Sequence, residues 1–228
     1  MNGSDKLKAV HNGVSKHFKV ITDTTELKRV REKYHLPDHF LFFLGNTDPR
    51  KNTKRTLKAF SDFLKQTNSD HKLVMLDFNI VELKKILREI GDPQLIDKIM
   101  ITGYVHDNDL PAIYSQCELF LFPSLREGFG IPVLEAMACG VPVITSNTSS
   151  MPEIAGGAAH LVNPSRSEEI TQGILKILGE KEYAETLCKK GLEQHKKFSW
   201  KIMAENVLEL YNEMYNELYN KIKTKNYD

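Results

Sequence analysis

The sequence predicts a doubly wound α/β domain on a parallel sheet, followed by one long C-terminal helix. Three observations carry this. Short apolar runs alternate with longer amphipathic stretches along most of the chain. Several of these runs are apolar at successive positions, as strands covered on both faces require. Strand and helix alternate strictly, which gives parallel strands joined by right-handed crossovers.

Element by element, the first strand is Phe40–Gly45 (FLFFLG), and Lys54–Lys65 follows with Leu57, Phe60, Ser61 and Leu64 at helical spacing. Lys72–Leu76 is the next strand, and Ile80–Ile90 the next helix, stopped by Gly91 and Pro93. Ile99–Thr102 is a strand ending at Gly103, after which Asn108 is expected to cap a helix through Gln116. Glu118–Pro123 is a strand, and Ile131–Cys139 a helix with Pro132 in its first turn and Gly140 just past its end. Val141–Thr145 and Ala158–Val162 complete the strands, and helices follow over Ser167–Leu178, Lys181–Lys196 and Ser199–Lys223. In the last helix Trp200, Met203, Val207, Leu210, Tyr211, Met214, Leu218 and Ile222 form an apolar stripe. That stripe either covers this domain or meets another one.

Bulk properties narrow the function. The chain has 228 residues, 41% hydrophobic and 27% charged, which suffices for a proper core. With 31 basic and 30 acidic residues and a net charge of +1, it carries no electrostatic signature of nucleic-acid binding. Cys117, Cys139 and Cys188 are far apart and read as buried reduced thiols. No run reaches the length of a membrane span and the first residues lack a signal-peptide stretch, so a cytoplasmic location is expected. The eight histidines show no H-x-H or H-E-x-x-H, and Pro37 interrupts the pair His35 and His39. They read as surface imidazoles, and no metal is expected.

In doubly wound sheets ligands bind beyond the carboxyl ends of the strands. The loop after the fourth strand reads LREGFGIPVLEAMACG, where Glu127 and Glu135 bracket Gly128 and Gly130. The glycines let backbone approach a ligand closely. The helix start at Ile131 carries partial positive charge suited to phosphate. A carboxylate beside a phosphate site needs another task, and accepting hydrogen bonds from hydroxyls is one. A ligand with both diphosphate and polyol parts, such as a nucleotide sugar, explains the whole stretch. The loop after the first strand, GNTDPRKNT, adds Gly45 and the cations Arg50 and Lys51. The loop after the third strand offers Gly103, Tyr104 and Val105 as a backbone wall for a flat base. A P-loop, a G-x-G-x-x-G after the first strand and a G-x-S-x-G elbow are all absent, which disfavours NTPases, dinucleotide oxidoreductases and α/β hydrolases.

These segments resemble the C-terminal, donor-binding domain of retaining glycosyltransferases of the GT-B fold, in particular bacterial glycosyl transferases group 1. HNGVSKHF is similar to the family's N-G-V crossover segment, and LGNTDPRKNTKRTLKAF to its G-R-x-x-x-x-K loop. PSLREGFGIPVLEAMACGVPVITS is similar to its Glu-x7-Glu motif, and MPEIAGGAAHLVNP to the strand and turn beyond. The likeness implies a Rossmann-like half of a GT-B fold. It also implies an interdomain crossover at 1–20, a nucleotide-sugar domain at 21–198, and a helix at 199–228 that would pack on a missing N-terminal domain.

Residue by residue, the likeness makes Glu127 the partner of donor-sugar hydroxyls and Glu135 the acceptor for ribose hydroxyls. Gly128, Phe129, Gly130 and Ile131 would hold sugar and phosphate by their backbone. Lys51 matches the lysine on the diphosphate, so Glu127 and Lys51 are the catalytic candidates. Asn46 stands where the family has arginine, leaving Arg50 to supply the second cation. The chemistry implied is retaining sugar transfer from a UDP- or GDP-linked donor without metal or cofactor. Acceptors would be a saccharide or lipid-linked glycan, bound through the missing domain, in surface polysaccharide or glycoconjugate synthesis at the inner membrane face. This chain alone would be incomplete and inactive. Two alternatives are a non-catalytic nucleotide-sugar-binding module, and a GT-B epimerase or phosphorylase, the latter disfavoured by the E-G-F-G-x-P-x-x-E-A-M-A run.

Overall fold

A computed structural model describes residues 8–225, with the side chains of Leu218, Asn220 and 221–225 outside the description. The sequence positions at 1–7 and 226–228, including part of the expected crossover, also lie outside it, as does the Ile222 end of the apolar stripe.

Six strands form one parallel sheet in the order β3-β2-β1-β4-β5-β6. They are β1 (Phe40–Phe43), β2 (Lys72–Met75), β3 (Ile99–Ile101), β4 (Leu119–Phe122), β5 (Val143–Ser146) and β6 (His160–Val162). Each is shorter than the apolar run that predicted it, because ladder pairing stops where the chain turns into its loop. The central strands β1, β4 and β5 are buried throughout, and alternate residues serve opposite faces. Phe40, Phe42, Phe120, Phe122 and Val143 belong to one half of the core; Leu41, Phe43, Leu119, Leu121 and Ile144 belong to the other. This is the two-sided burial that continuous apolar runs demand.

On the first face lie α1 (Thr24–Tyr34), α4 (Leu110–Tyr114), α5 (Ile131–Ala138) and α6 (Met151–Ala155). On the second lie α2 (Thr53–Thr67), α3 (Ile80–Glu89) and α7 (Ser167–Gly179). α8 (Lys181–Gln194) packs against α5 and α7 at the sheet's end. The three cysteines are free, two of them buried, and burial raises all three thiol pKa values.

The expected helix from Asn108 through Gln116 is corrected. A 3-10 turn, Asp107–Asp109, leads into the short α4, and Asn108 caps nothing. Asp109 fixes this geometry: buried, it accepts from Lys33 Nζ and Tyr34 Oη at 2.7 Å each and pairs with Arg29. That network also ties α1 to the loop after β3.

The segment expected as a crossover packs against the chain just before the last helix. Val14 pairs with Ser199, and its N–H donates to the Phe198 carbonyl at 3.0 Å. Gly13 is required there, since a Cβ would stand 2.0 Å from the Trp200 nitrogen. α9 (Trp200–Lys225) follows, with Asn206, Leu210 and Glu213 beside Lys8, Ala9 and Val10. Met203, Val207 and Leu210 are half-buried, but Trp200, Leu208, Tyr211, Met214, Tyr215 and Tyr219 are exposed. The stripe is thus covered in part by its own chain, while Trp200, Tyr211 and Met214 are left uncovered.

Candidate functional site

The loops after β1, β4, β5 and β6 meet beyond the carboxyl ends of their strands, and buried hydrogen bonds join those after β1, β4 and β6. Asn52 is the main fastener. It adopts a left-handed conformation (φ 60°) between the 3-10 turn Pro49–Lys51 and α2. Its buried amide donates to the carbonyls of Pro123, at 2.9 Å, and Pro164, at 2.7 Å. The Leu125 N–H donates to the Arg50 carbonyl at 2.7 Å, and the Thr53 hydroxyl closes the turn on the Asn46 carbonyl at 2.7 Å.

This frame sets Lys51 against Glu127, with Nζ 2.8 Å from Oε1. Their side chains are 23% and 17% exposed, so the pair is shielded yet reachable. Lys51 Nζ also lies 4.8 Å from the centre of the Phe122 ring, whose face favours a cation. Arg50 behaves differently: it forks onto Asp48, is 68% exposed, and holds the Asp48 carboxyl below its usual pKa. Asn46, in the place of the expected arginine, uses its side chain to accept from the Asp48 N–H at 2.9 Å. The loop thus presents one half-buried cation, Lys51, while Arg50 is engaged locally.

The glycine loop is shaped by the turn after β5. The Ser150 hydroxyl donates to the Phe129 carbonyl at 2.7 Å, and the Ser149 hydroxyl to the Glu127 carbonyl at 2.6 Å. Gly130 begins α5 at φ 119°, a conformation that side chains resist, and no side chain caps this helix start. A Cβ on Gly128, by contrast, would meet nothing within 4 Å. Gly45 is crowded: a Cβ would stand 2.1 Å from the Phe43 ring.

Glu135 projects from the second turn of α5 and accepts from the Tyr114 hydroxyl at 3.1 Å. Burial pushes its carboxyl pKa up to about 7; the Tyr114 hydrogen bond opposes this and the charge of Asp107 adds to it. Among the described residues no hydrogen bond joins Glu135 to Glu127 or Lys51. The two carboxylates therefore differ: Glu127 is paired with a cation, while Glu135 lies in a drier, unpaired setting. Tyr114 and Phe42 pack ring to ring behind it at 5.1 Å.

Gly103 takes φ 70° and a Cβ there would meet nothing, leaving its backbone open. Tyr104 is 73% exposed and edge-on to His106, while Val105 turns its side chain into the core. Phe129 is half-buried and Ile131 stands at the helix start. One contact was not anticipated. His11 of the crossover lies 5.9 Å from the Phe129 ring and 2.6 Å, Nε2 to Oε1, from Glu153 of α6. Asn52, Ser149, Ser150 and Tyr114 were also missed. The K-N-T and S-S signals for the first three are too common in ordinary turns to stand out.

A serotype-specific mannosyltransferase of Escherichia coli is 34% identical over 209 residues, covering 90% of this chain and 26% of that protein. An O-antigen chain mannosyltransferase of the same organism is 33% identical over 183 residues, covering 80% of this chain and 48% of that protein. The chain thus spans a quarter to a half of the length of these relatives. The crystallised C-terminal domain of a glycosyl transferase group 1 family protein from Francisella tularensis superposes with a TM-score of 0.68 at 20% identity, covering 81% of this chain and 96% of that domain. At that identity the likeness shows the fold alone. Residues 24–194, which include Lys51, Glu127 and Glu135, match the family described as glycosyl transferases group 1. The chain belongs to the glycosyl transferases group 1 family.

Proposed function

We propose that this chain is the donor-binding half of a retaining glycosyltransferase acting on a UDP- or GDP-linked sugar. The reading rests on one arrangement: Lys51 and Glu127, 2.8 Å apart, beside the uncapped start of α5 at the carboxyl ends of β1 and β4. Breaking the anomeric bond leaves positive character on the sugar and negative charge on the departing diphosphate. A fixed ammonium and a helix start are most effective where that charge develops. Glu127 accepts from the donor sugar's hydroxyls, and Glu135 accepts from the ribose. The names of the two Escherichia coli relatives make a mannosyl donor the first to test and surface-polysaccharide synthesis at the cytoplasmic membrane face the expected setting. No helix among the described residues is long and apolar enough to cross a membrane.

The acceptor, a saccharide or lipid-linked glycan, is assigned to a second domain. The exposed stripe of α9, from Trp200 to Tyr219, is the surface on which that domain packs. Positioning an acceptor contributes about 7–11 kcal/mol toward a barrier, so the 228-residue chain is expected to bind donor without transferring sugar. The test is calorimetric titration with UDP, GDP, ADP and their sugars, followed by incubation with labelled donor and glycan acceptors. Failure to bind any nucleotide would falsify the donor role. Transfer at the rate of a full-length relative would show that a second domain is not needed.

A further inference from the structure

At the amino ends of the strands, opposite the donor cleft, three ligating side chains converge. His39 immediately precedes β1, His71 precedes β2 and Glu118 precedes β4. The sheet order sets β1 between β2 and β4, so these residues start three neighbouring strands. Backbone bonds lock their positions: the Lys72 N–H donates to the His39 carbonyl at 3.1 Å, and the Glu118 N–H to the Phe40 carbonyl at 3.0 Å. The side chains meet on one side. His39 Nδ1 lies 2.7 Å from Glu118 Oε1, and His71 Nε2 lies 3.2 Å from Glu118 Oε2. One ligand atom from each residue falls within 4.8 Å of the other two.

We propose that His39, His71 and Glu118 bind a single Zn2+ ion, with water completing a four-coordinate shell. Two imidazoles and a carboxylate are a donor set that zinc accepts. Ligands about 2.1 Å from one ion in tetrahedral geometry lie roughly 3.4 Å apart, so a triad already within 4.8 Å has a short way to close. The surroundings suit the role. His71 is only 17% exposed, and its Nδ1 faces the Ser69 hydroxyl, an outer partner that can accept from Nδ1–H and so free Nε2 to ligate. The Phe63 ring stands edge-on to His71 at 5.8 Å and walls the site on that side. Bound there, the ion would staple the starts of the central strands and would not take part in catalysis at their far ends. The spacing of the ligands hides the site in the sequence, because strand pairing alone brings them together.

Calorimetry with zinc chloride on the whole chain, in a buffer that does not chelate, tests this. The expected result is one ion per chain with micromolar or tighter affinity, and Co2+ giving the visible absorption of a tetrahedral site. His39→Gln, His71→Gln and Glu118→Gln should each weaken binding by roughly 10–100-fold or more. His39 is 63% exposed, so its variant loses a ligand without disturbing the core. Nucleotide titrations of His39→Gln should match wild type, which separates this site from the donor cleft. Millimolar binding only, or unchanged affinity in His39→Gln and His71→Gln, would overturn the proposal.

Discussion

Lys51 and Glu127, the two side chains assigned to leaving group and sugar, are hydrogen-bonded to each other at 2.8 Å. They come from loops 76 residues apart and both are largely shielded. Each charge compensates the other in a partly shielded cleft, where an uncompensated charge would be costly. An arriving diphosphate would therefore meet an ammonium group already in place, and a sugar hydroxyl a carboxyl group already held in position.

Lys51→Ala should weaken nucleoside-diphosphate binding by roughly 10–100-fold, since hydrogen bonds to charged groups contribute about 1.5–3 kcal/mol. Nucleoside binding should stay unchanged, so comparing diphosphate with nucleoside by calorimetry isolates the role. In a full-length enzyme, turnover should fall by something like 10²–10³-fold. Arg50→Ala should change little, because Asp48 holds that guanidinium and it is mostly exposed. If only the Arg50 variant loses diphosphate affinity, the assignment of Lys51 is wrong.

Glu135 should make both stability and nucleotide binding depend on pH. Its folded pKa of about 7 lies above the usual 4.5 because burial disfavours the charge. Between those values the folded state holds a proton that the unfolded state has released, so stability falls as pH rises from about 4.5 to about 7 and is then level. The gap corresponds to about 3 kcal/mol as an upper figure. Glu135→Gln should therefore stabilise the domain at pH 8 and flatten the slope in urea unfolding. If the ionised form accepts from ribose, wild-type nucleotide affinity should increase through pH 7, and the variant's should be weaker and flat. A variant more stable but equally good at binding would remove Glu135 from the site.

The sheet was legible because two-sided burial leaves a direct trace: Phe40–Phe43 and Leu119–Phe122 are apolar at every position. Glu127, Gly130 and Glu135 stood out as candidates because two carboxylates around glycines make little sense on a bare surface. Other features leave no such trace. The short α6 has one turn's worth of apolar residues. Asp109 reads as a loop acid until α1 surrounds it with Arg29, Lys33 and Tyr34. The stripe on α9 shows an amphipathic helix but not what it faces.

Asn52 gives a test of how the cleft is built. Its two amide bonds join the loops after β1, β4 and β6, and its left-handed backbone suits asparagine better than most residues. Asn52→Ala should cost about 2–4 kcal/mol, from two buried carbonyls left unsatisfied and a strained backbone. Asn52→Gly relieves the backbone and should recover about 1 kcal/mol of that. Urea unfolding of the two variants separates hydrogen bonding from conformation, and equal stability of Asn52→Ala and wild type would show that the loops are held by other contacts.

Gly128 and Gly130, two positions apart, should respond in opposite ways to the same methyl group. At Gly130 the φ of 119° is unfavourable for alanine, and the new Cβ would stand 2.3 Å from the Met151 methyl. Met151 can give way, but the backbone cannot, so Gly130→Ala should lose about 1–3 kcal/mol of stability. At Gly128 a Cβ meets no atom within 4 Å and the backbone is not left-handed. Gly128→Ala should therefore fold as well as wild type, or gain about 0.4–1 kcal/mol by restricting the unfolded chain. Its methyl would occupy the open space that the proposed donor needs for close approach to the backbone. The expected outcome is a stable protein whose affinity for nucleotide sugar drops while affinity for the bare nucleoside persists. Thermal unfolding beside calorimetry on the two variants reads both effects, and a Gly128→Ala protein that binds nucleotide sugar as wild type does would move the sugar out of this loop.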